Sequence, residues 1–290
     1  MKSVLLMIGL LVASSYVLAH EDIVTNSEVD FVHYLAELEP NFEKKLLRGS
    51  VTISFVPTTK SLSELIFSSK YKQIESVKLN GDVVSYSLVG EQLVIKFESQ
   101  LEEAQIYSLK VDYSASPERG MKFYDDHLFT VYHTKNWLVS HDDISDKATF
   151  ELFLTHDVNL SMVGNGRLVS RVALKQNKEV SHWRQDTPIP MYTFGFVIGQ
   201  FDTLFLKADD LDISILFRKS ELSGLTPSLL SEAFVDVADM LTFFEKKAGF
   251  ALNQGGYHYV VVNGHMAQEA SGFSLVGEKF VHTVLLVYCT

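Results

Sequence analysis

Apolar and polar residues alternate in short runs along most of this chain. Val51-Thr52-Ile53-Ser54-Phe55, Leu93-Val94-Ile95-Lys96-Phe97 and Tyr107-Ser108-Leu109-Lys110-Val111-Asp112-Tyr113 are the clearest cases. Spacing of two is what puts one face of a β-strand into a core. Phe150, Leu152 and Leu154 mark a further inward face. Residues 77–79, then Asn80-Gly81, then residues 82–86 predict a hairpin, because Asn-Gly suits a type I′ turn. Residues 191–198 are almost all apolar and are expected as a strand buried on both faces. Short strands separated by polar turns predict a β-sandwich or a curved all-β domain.

After residue 210 the period changes. Ile213, Ile215 and Phe217 predict one more strand. Thr226 is a good N-cap, and Pro227 fits the first helical position. Leu230, Phe234, Val237, Leu241 and Phe244 then recur at helical spacing, Lys246 and Lys247 sit in the last turn, and Gly249 supplies a stop. A single helix is expected there, followed by an apolar strand at Tyr257–Val262. The boundary between an all-β domain and the start of an α+β domain is placed near residues 207–210.

The first residues read as an export signal. Lys2 precedes an apolar run at 4–12 that is too short to span a bilayer, and Val17-Leu18-Ala19 has the small-residue spacing of a cleavage site. Residues 1–19 are therefore expected to be removed, leaving a chain from His20 that is periplasmic or extracellular and has no membrane span. The remaining length, about 270 residues, suits one to two domains. Net charge is −11, which argues against nucleic acid as a partner. The one cysteine, Cys289, cannot form an internal disulfide or a Cys-based metal site.

Candidate chemistry is sparse. The sequence contains no G-x-S-x-G elbow, no phosphate-binding glycine loop and no H-E-x-x-H. His127, His133 and His141 lie near Asp125, Asp126, Asp142 and Asp143, without the spacing of a helical zinc-binding pair, and read as a polar loop cluster. His258 and His265 read as structural or solvent-facing. Asn159-Leu160-Ser161 is a glycosylation sequon.

One segment is more specific. Residues 264–275 read G-H-M-A-Q-E-A-S-G-F-S-L and follow the strand at Tyr257–Val262. This resembles the exopeptidase motif of the M1 family of zinc aminopeptidases. Other pieces in matching order are F-V-H-Y-L-A-E-L-E-P at 31–40, G-S-V-T-I at 49–53, D-D-I-S-D-K-A-T-F at 142–150, G-N-G at 164–166, T-P-I-P-M-Y-T-F at 187–194 and G-Q-F at 199–201. The resemblance implies a mainly β fold: a saddle-like N-terminal β-sandwich domain at 20–207, then the incomplete start of an α+β thermolysin-like domain at 208–290. It implies peptide N-termini as ligands, with the Glu269 carboxylate holding the free α-ammonium through charge-assisted hydrogen bonds and Gln268 and Ala267 beside it. Ala270 departs from the family's commoner asparagine. Family members often add a second amine acceptor from the β domain; the matching stretch here is Phe129-Thr130-Val131-Tyr132-His133, where Val131 cannot accept a hydrogen bond.

The family's zinc ligands, general base and oxyanion-stabilising tyrosine have no counterpart in these residues, so no catalytic or metal-ligating residue is assigned. The expectation is an exported zinc aminopeptidase truncated before its zinc motif. It would be inactive alone, needing zinc only in the complete enzyme, with an apolar tail at 281–290 and an unfinished second domain that a partner chain could cover. The competing reading is a non-catalytic β-sandwich protein that binds peptides or a partner.

Overall fold

The computed structural model describes residues 28–206, 212–221, 224, 226–249, 256–264 and 266–282. The expected export signal, the boundary at 207–210, His265 and Cys289 lie outside the described residues. In chain order the strands are β1 (Val29–Asn41), β2 (Leu46–Pro57), β3 (Glu64–Ser68), β4 (Lys72–Leu79), β5 (Asp82–Val83), β6 (Tyr86–Val89) and β7 (Gln92–Lys96). There follow β8 (Tyr107–Ala115), β9 (Met121–Phe123), β10 (His127–Thr130), β11 (Lys147–Asp157), β12 (Ser161–Gly164), β13 (Arg167–Ala173) and β14 (Lys178–Pro190). The last are β15 (Phe196–Gly199), β16 (Asp202–Leu206), β17 (Ile213–Phe217), β18 (Tyr257–Val262), β19 (Ala267–Ala270) and β20 (Phe273–Gly277), with helices α1 (Pro227–Ala233) and α2 (Val237–Ala248) between β17 and β18.

The chain is mainly β, as the alternation predicts. Val51, Ile53 and Phe55 of β2, Leu109 and Val111 of β8 and Leu152 and Leu154 of β11 are all fully buried. They line one face of an eight-stranded sheet ordered β13-β14-β11-β1-β2-β8-β4-β5. A four-stranded sheet (β12-β15-β10-β9) and a three-stranded sheet (β3-β7-β6) complete this β unit, and all three sheets contribute to one apolar core.

A five-stranded mixed sheet follows, ordered β16-β17-β18-β20-β19. Its centre is parallel, and its two edge strands run antiparallel to their neighbours. Period-2 geometry divides its side chains cleanly. Leu216, Val260, Val262, Phe273 and Leu275 face the β unit and merge with its core. Ile213, Ile215, Phe217, Tyr259 and Val261 face the other way, against Leu230, Phe234 and Leu241 of the helical segment.

Three expectations are corrected. The helix at 227–248 is broken in two: Phe234 leaves helical geometry at φ −111°, ψ 14°. The caps are as expected, with Thr226 Oγ1 accepting from the Leu229 N–H and Gly249 ending α2 at φ 77°. α2 buries Leu241, while Phe244 of the predicted apolar stripe is 54% exposed. The Asn80-Gly81 hairpin forms with φ of 50° and 96°, but its second strand stops at Val83 and Tyr86 joins another sheet. The apolar run at 191–198 is not one strand. Residues Met191–Thr193 form a 3₁₀ turn after Pro190, and only Phe196–Gly199 pairs.

Candidate functional site

The residues singled out in the sequence fall on β19, the free edge of the five-stranded sheet. The Ser271-Gly272 turn reverses the chain into β20, with Gly272 at φ 89°, where glycine is favoured. The Gly277 N–H donates to Met266 O at 2.6 Å. Antiparallel pairing alternates bonded and non-bonded pairs, so Gln268 and Ala270 bond across to β20. The N–H and C=O groups of Ala267 and Glu269 therefore point to the open edge.

Side-chain parity assigns the neighbouring residues different roles. Gln268 is buried on the face toward the β unit, where its Oε1 accepts from the Tyr132 N–H at 3.0 Å. Glu269 is exposed on the opposite face, across from Ser274. Ser274 Oγ lies 2.6 Å from the Tyr257 hydroxyl. Burial raises the Tyr257 pKa, the Ser274 hydrogen bond opposes this, and the nearby Glu269 charge adds to it. Ala267 is exposed, and its carbonyl accepts from the Tyr132 hydroxyl at 3.0 Å.

Three clamps fix this edge. At its start, the buried Glu278 accepts through Oε2 from the Gly264 N–H. In the middle, Tyr132 holds both Gln268 and Ala267 from the loop after β10. Tyr132 and His133 are both left-handed, at φ 45° and 42°, and Gly120 makes room for them: a Cβ there would lie 2.6 Å from His133 O. At its end, Asn165 Nδ2 donates to Ser271 O at 3.1 Å and Thr193 O at 2.9 Å, while its Oδ1 accepts from the Gly195 N–H at 2.7 Å. Ser271 Oγ also donates to Gln185 Oε1 at 2.9 Å. The G-N-G string contained the last clamp. Tyr132 was quoted without a role, and Glu278 carried no local signal because its partner is a backbone N–H fourteen residues away.

The other sequence candidates go elsewhere. Val131 is buried in the β core. His127 is buried, stacks on Tyr124 at 4.3 Å and lies 2.7 Å from an Arg218 nitrogen; Arg218 also pairs with Asp126. Burial lowers the His127 pKa, and the hydrogen bond of its Nδ1 to Asp126 at 3.0 Å opposes this. His141 bonds Asp146 at 3.1 Å and packs on Phe31. His258 bonds Ser214 Oγ at 2.7 Å. Among the described residues, no three His, Cys, Asp or Glu side chains converge to hold a metal ion.

The Peptidase M1 N-terminal domain model matches residues 31–193. Leucine aminopeptidase 2 of Pyricularia oryzae is 23% identical over 189 residues, and that of Coccidioides immitis 24% over 191; each alignment covers 58% of this chain and 30% of the relative. The chain thus spans under a third of the curated relatives it matches. An M1 zinc metallopeptidase from Deinococcus radiodurans is similar in fold, with TM-score 0.75 and 17% identity over 89% of this chain and 63% of that one. A mutant of that enzyme bound to a Tyr-Ser-Ala substrate gives TM-score 0.76 at 18% identity, with the same coverage.

Proposed function

The chain belongs to the Peptidase M1 N-terminal domain family, and from that premise we propose that its β19 edge recognises the free N-terminus of a peptide for an exported zinc aminopeptidase. The observation that carries this reading is the pairing of an open strand edge with one exposed carboxylate. The outward N–H and C=O of Glu269 are positioned to pair with an extended peptide as an added strand. The Glu269 side chain, on the face away from the β unit, receives the α-ammonium through charge-assisted hydrogen bonds.

Tyr132 takes the part that Val131 cannot. Its hydroxyl donates to the Ala267 carbonyl, which leaves oxygen lone pairs to accept from the same ammonium. Gln268 is a positioning residue in this reading, since its acceptor is already used by Tyr132. The division at 207/208 and the export signal at 1–19 belong to the same proposal. Zinc is a property of the family's enzymes. The residues of this chain do not fit its ligand set, because no H-E-x-x-H occurs among the 290, and no step of this reading passes through the metal.

The test is calorimetric titration of the 290-residue chain with Tyr-Ser-Ala and with its N-acetylated form. The free amine should bind more tightly by about tenfold, and Glu269→Gln should remove the preference. Equal binding of the acetylated peptide to the unmodified chain overturns the proposal.

A further inference from the structure

Tyr132 and His133 hold left-handed angles, at φ 45° and 42°. Bulky residues keep such angles only where their neighbours over-determine them. On one side the neighbour is β19, through Gln268 Oε1 and the Ala267 carbonyl. On the other it is the 3₁₀ turn Thr134–Asn136. Thr134 Oγ1 donates to Phe194 O and Asn136 Nδ2 to Arg119 O, both at 3.3 Å, and the Lys135 carbonyl accepts from Lys72 Nζ.

Lys72 occupies a core-facing position. It opens β4 opposite Ala115 of β8, which lies opposite Leu47 of β2. Ala115 and Leu47 are buried in the β core, and Lys72 is itself 7% exposed. A lysine is rarely buried so far without a carboxylate. Among the described residues, the partners of Lys72 Nζ are instead three carbonyls: Lys135 O, Ser68 O at 3.2 Å and Lys70 O at 3.3 Å. One nitrogen thus joins the end of β3, the β3–β4 turn and the turn beside Tyr132.

The titratable side chains on these elements and on β8 have other contacts. Lys70 pairs with Glu91 at 3.2 Å and lies over the Tyr71 ring. Lys135 pairs with Asp142 at 2.8 Å, the Tyr113 hydroxyl donates to the Trp137 carbonyl at 3.0 Å, and His133 is exposed. Burial first, and the Lys135 charge second, push the Lys72 pKa from 10.5 down to about 7. Between those values an exposed Lys72 holds a proton that the buried one releases. Any motion that brings Lys72 to water therefore takes up a proton, and a fall in pH favours it.

We propose that Lys72 makes the Tyr132 loop a proton-sensitive gate on the β19 edge: taking up a proton, Lys72 leaves its three carbonyls, frees the Thr134–Asn136 turn and lets the strained Tyr132 part from Gln268 and Ala267. The gate concerns the hold on β19 and is independent of what β19 binds. Amide exchange of the Tyr132 N–H in the 290-residue chain tests it, with protection taken relative to the intrinsic exchange rate at each pH. Tyr132 should exchange faster than the amides of β2, through its own opening. Its protection should rise between about pH 7.5 and about pH 9.5, by up to about tenfold per pH unit. Carboxylates and imidazoles ordinarily titrate below this window. Lys72→Met fills nearly the same space and cannot titrate. Its profile should be flat and, at about pH 7.5, its protection higher than the parent's by about tenfold or more. Exchange of Tyr132 at the β2 rate, a flat parent profile, a slope that persists in Lys72→Met, or lower protection in that variant at about pH 7.5 would each overturn the proposal.

Discussion

The two faces of the five-stranded sheet carry similar sequences and have different surroundings. Toward the β unit, Val260, Val262, Phe273 and Leu275 continue an apolar core built from three other sheets. Toward the helices, Ile215, Tyr259 and Val261 are buried with Leu230, Phe234 and Leu241 of a broken helical segment and with Val281, while Met240, Phe243 and Phe244 of α2 stay exposed. Among the described residues, the first face joins a core drawn from three other sheets and the second a smaller cluster of helical residues and Val281. The consequence is a division of labour. Residues of odd and even number along β19 are committed respectively to the open face and to the anchoring face.

The largest test compares single truncations on the two sides. Phe273→Ala should destabilise the chain by about 3–5 kcal/mol in denaturant unfolding, since its ring is 2% exposed and packs in the shared core. Phe244→Ala should change stability by no more than about 0.5 kcal/mol. Equal losses would mean that the α2 face is packed in solution and would end the contrast. Asn165→Ala is next. It leaves the Thr193 carbonyl and the Gly195 N–H without their partner and the Ser271 carbonyl with the Gly166 N–H at 3.3 Å alone, at a cost of about 2–4 kcal/mol. It should also loosen the Ser271-Gly272 turn, seen as faster amide exchange in β19 and β20 than in β2.

Acid should act on the anchoring face first. His258, whose folded pKa is about 4 against 6.5 unfolded, lies on that side of the sheet. Between those values the unfolded chain binds the extra proton, so stability is full above pH 6.5, falls as pH drops through the window and levels off near 4. Up to roughly 3 kcal/mol is lost, less whatever solvent screening removes. Burial lowers His127 and His156 as well, in the same direction. Unfolding midpoints at about pH 7 and about pH 4.5 should converge in His258→Gln relative to the parent chain. An unchanged difference would assign the acid sensitivity elsewhere.

Much of this contrast was legible before any coordinates. Alternation identified the strands whose apolar faces meet in one core, because period 2 is a local property. Thr226, Pro227 and Gly249 announced helix ends through local capping chemistry. The break at Phe234 was not legible, since the apolar spacing runs through it and the ring packs against Tyr259, at 5.1 Å, a residue distant in sequence. The run at 191–198 misled because apolar content alone does not separate a strand from a turn. The clamps on β19 were hidden for a different reason. Tyr132, Asn165 and Glu278 act on backbone groups or side chains brought close only by the fold, and a single sequence has no periodicity that reports such pairs.

The smallest effect separates two adjacent residues. Gln268→Ala removes the buried acceptor of the Tyr132 N–H, and one buried donor left unpaired costs about 1–2 kcal/mol. Glu269→Ala removes an exposed carboxylate that makes no hydrogen bond among the described residues, so stability should shift by less than about 0.5 kcal/mol. Binding should respond in the opposite order. Loss of Glu269 removes the charge that separates a free N-terminus from an acetylated one, whereas loss of Gln268 leaves that charge and weakens both peptides alike by letting the edge drift from Tyr132. A Gln268 variant that loses amine discrimination while unfolding at the parent midpoint would reverse the assignment, making Gln268 the contact and Glu269 the bystander. Parity along β19 argues against that reversal, because a side chain on the anchoring face meets the core and one on the open face meets solvent.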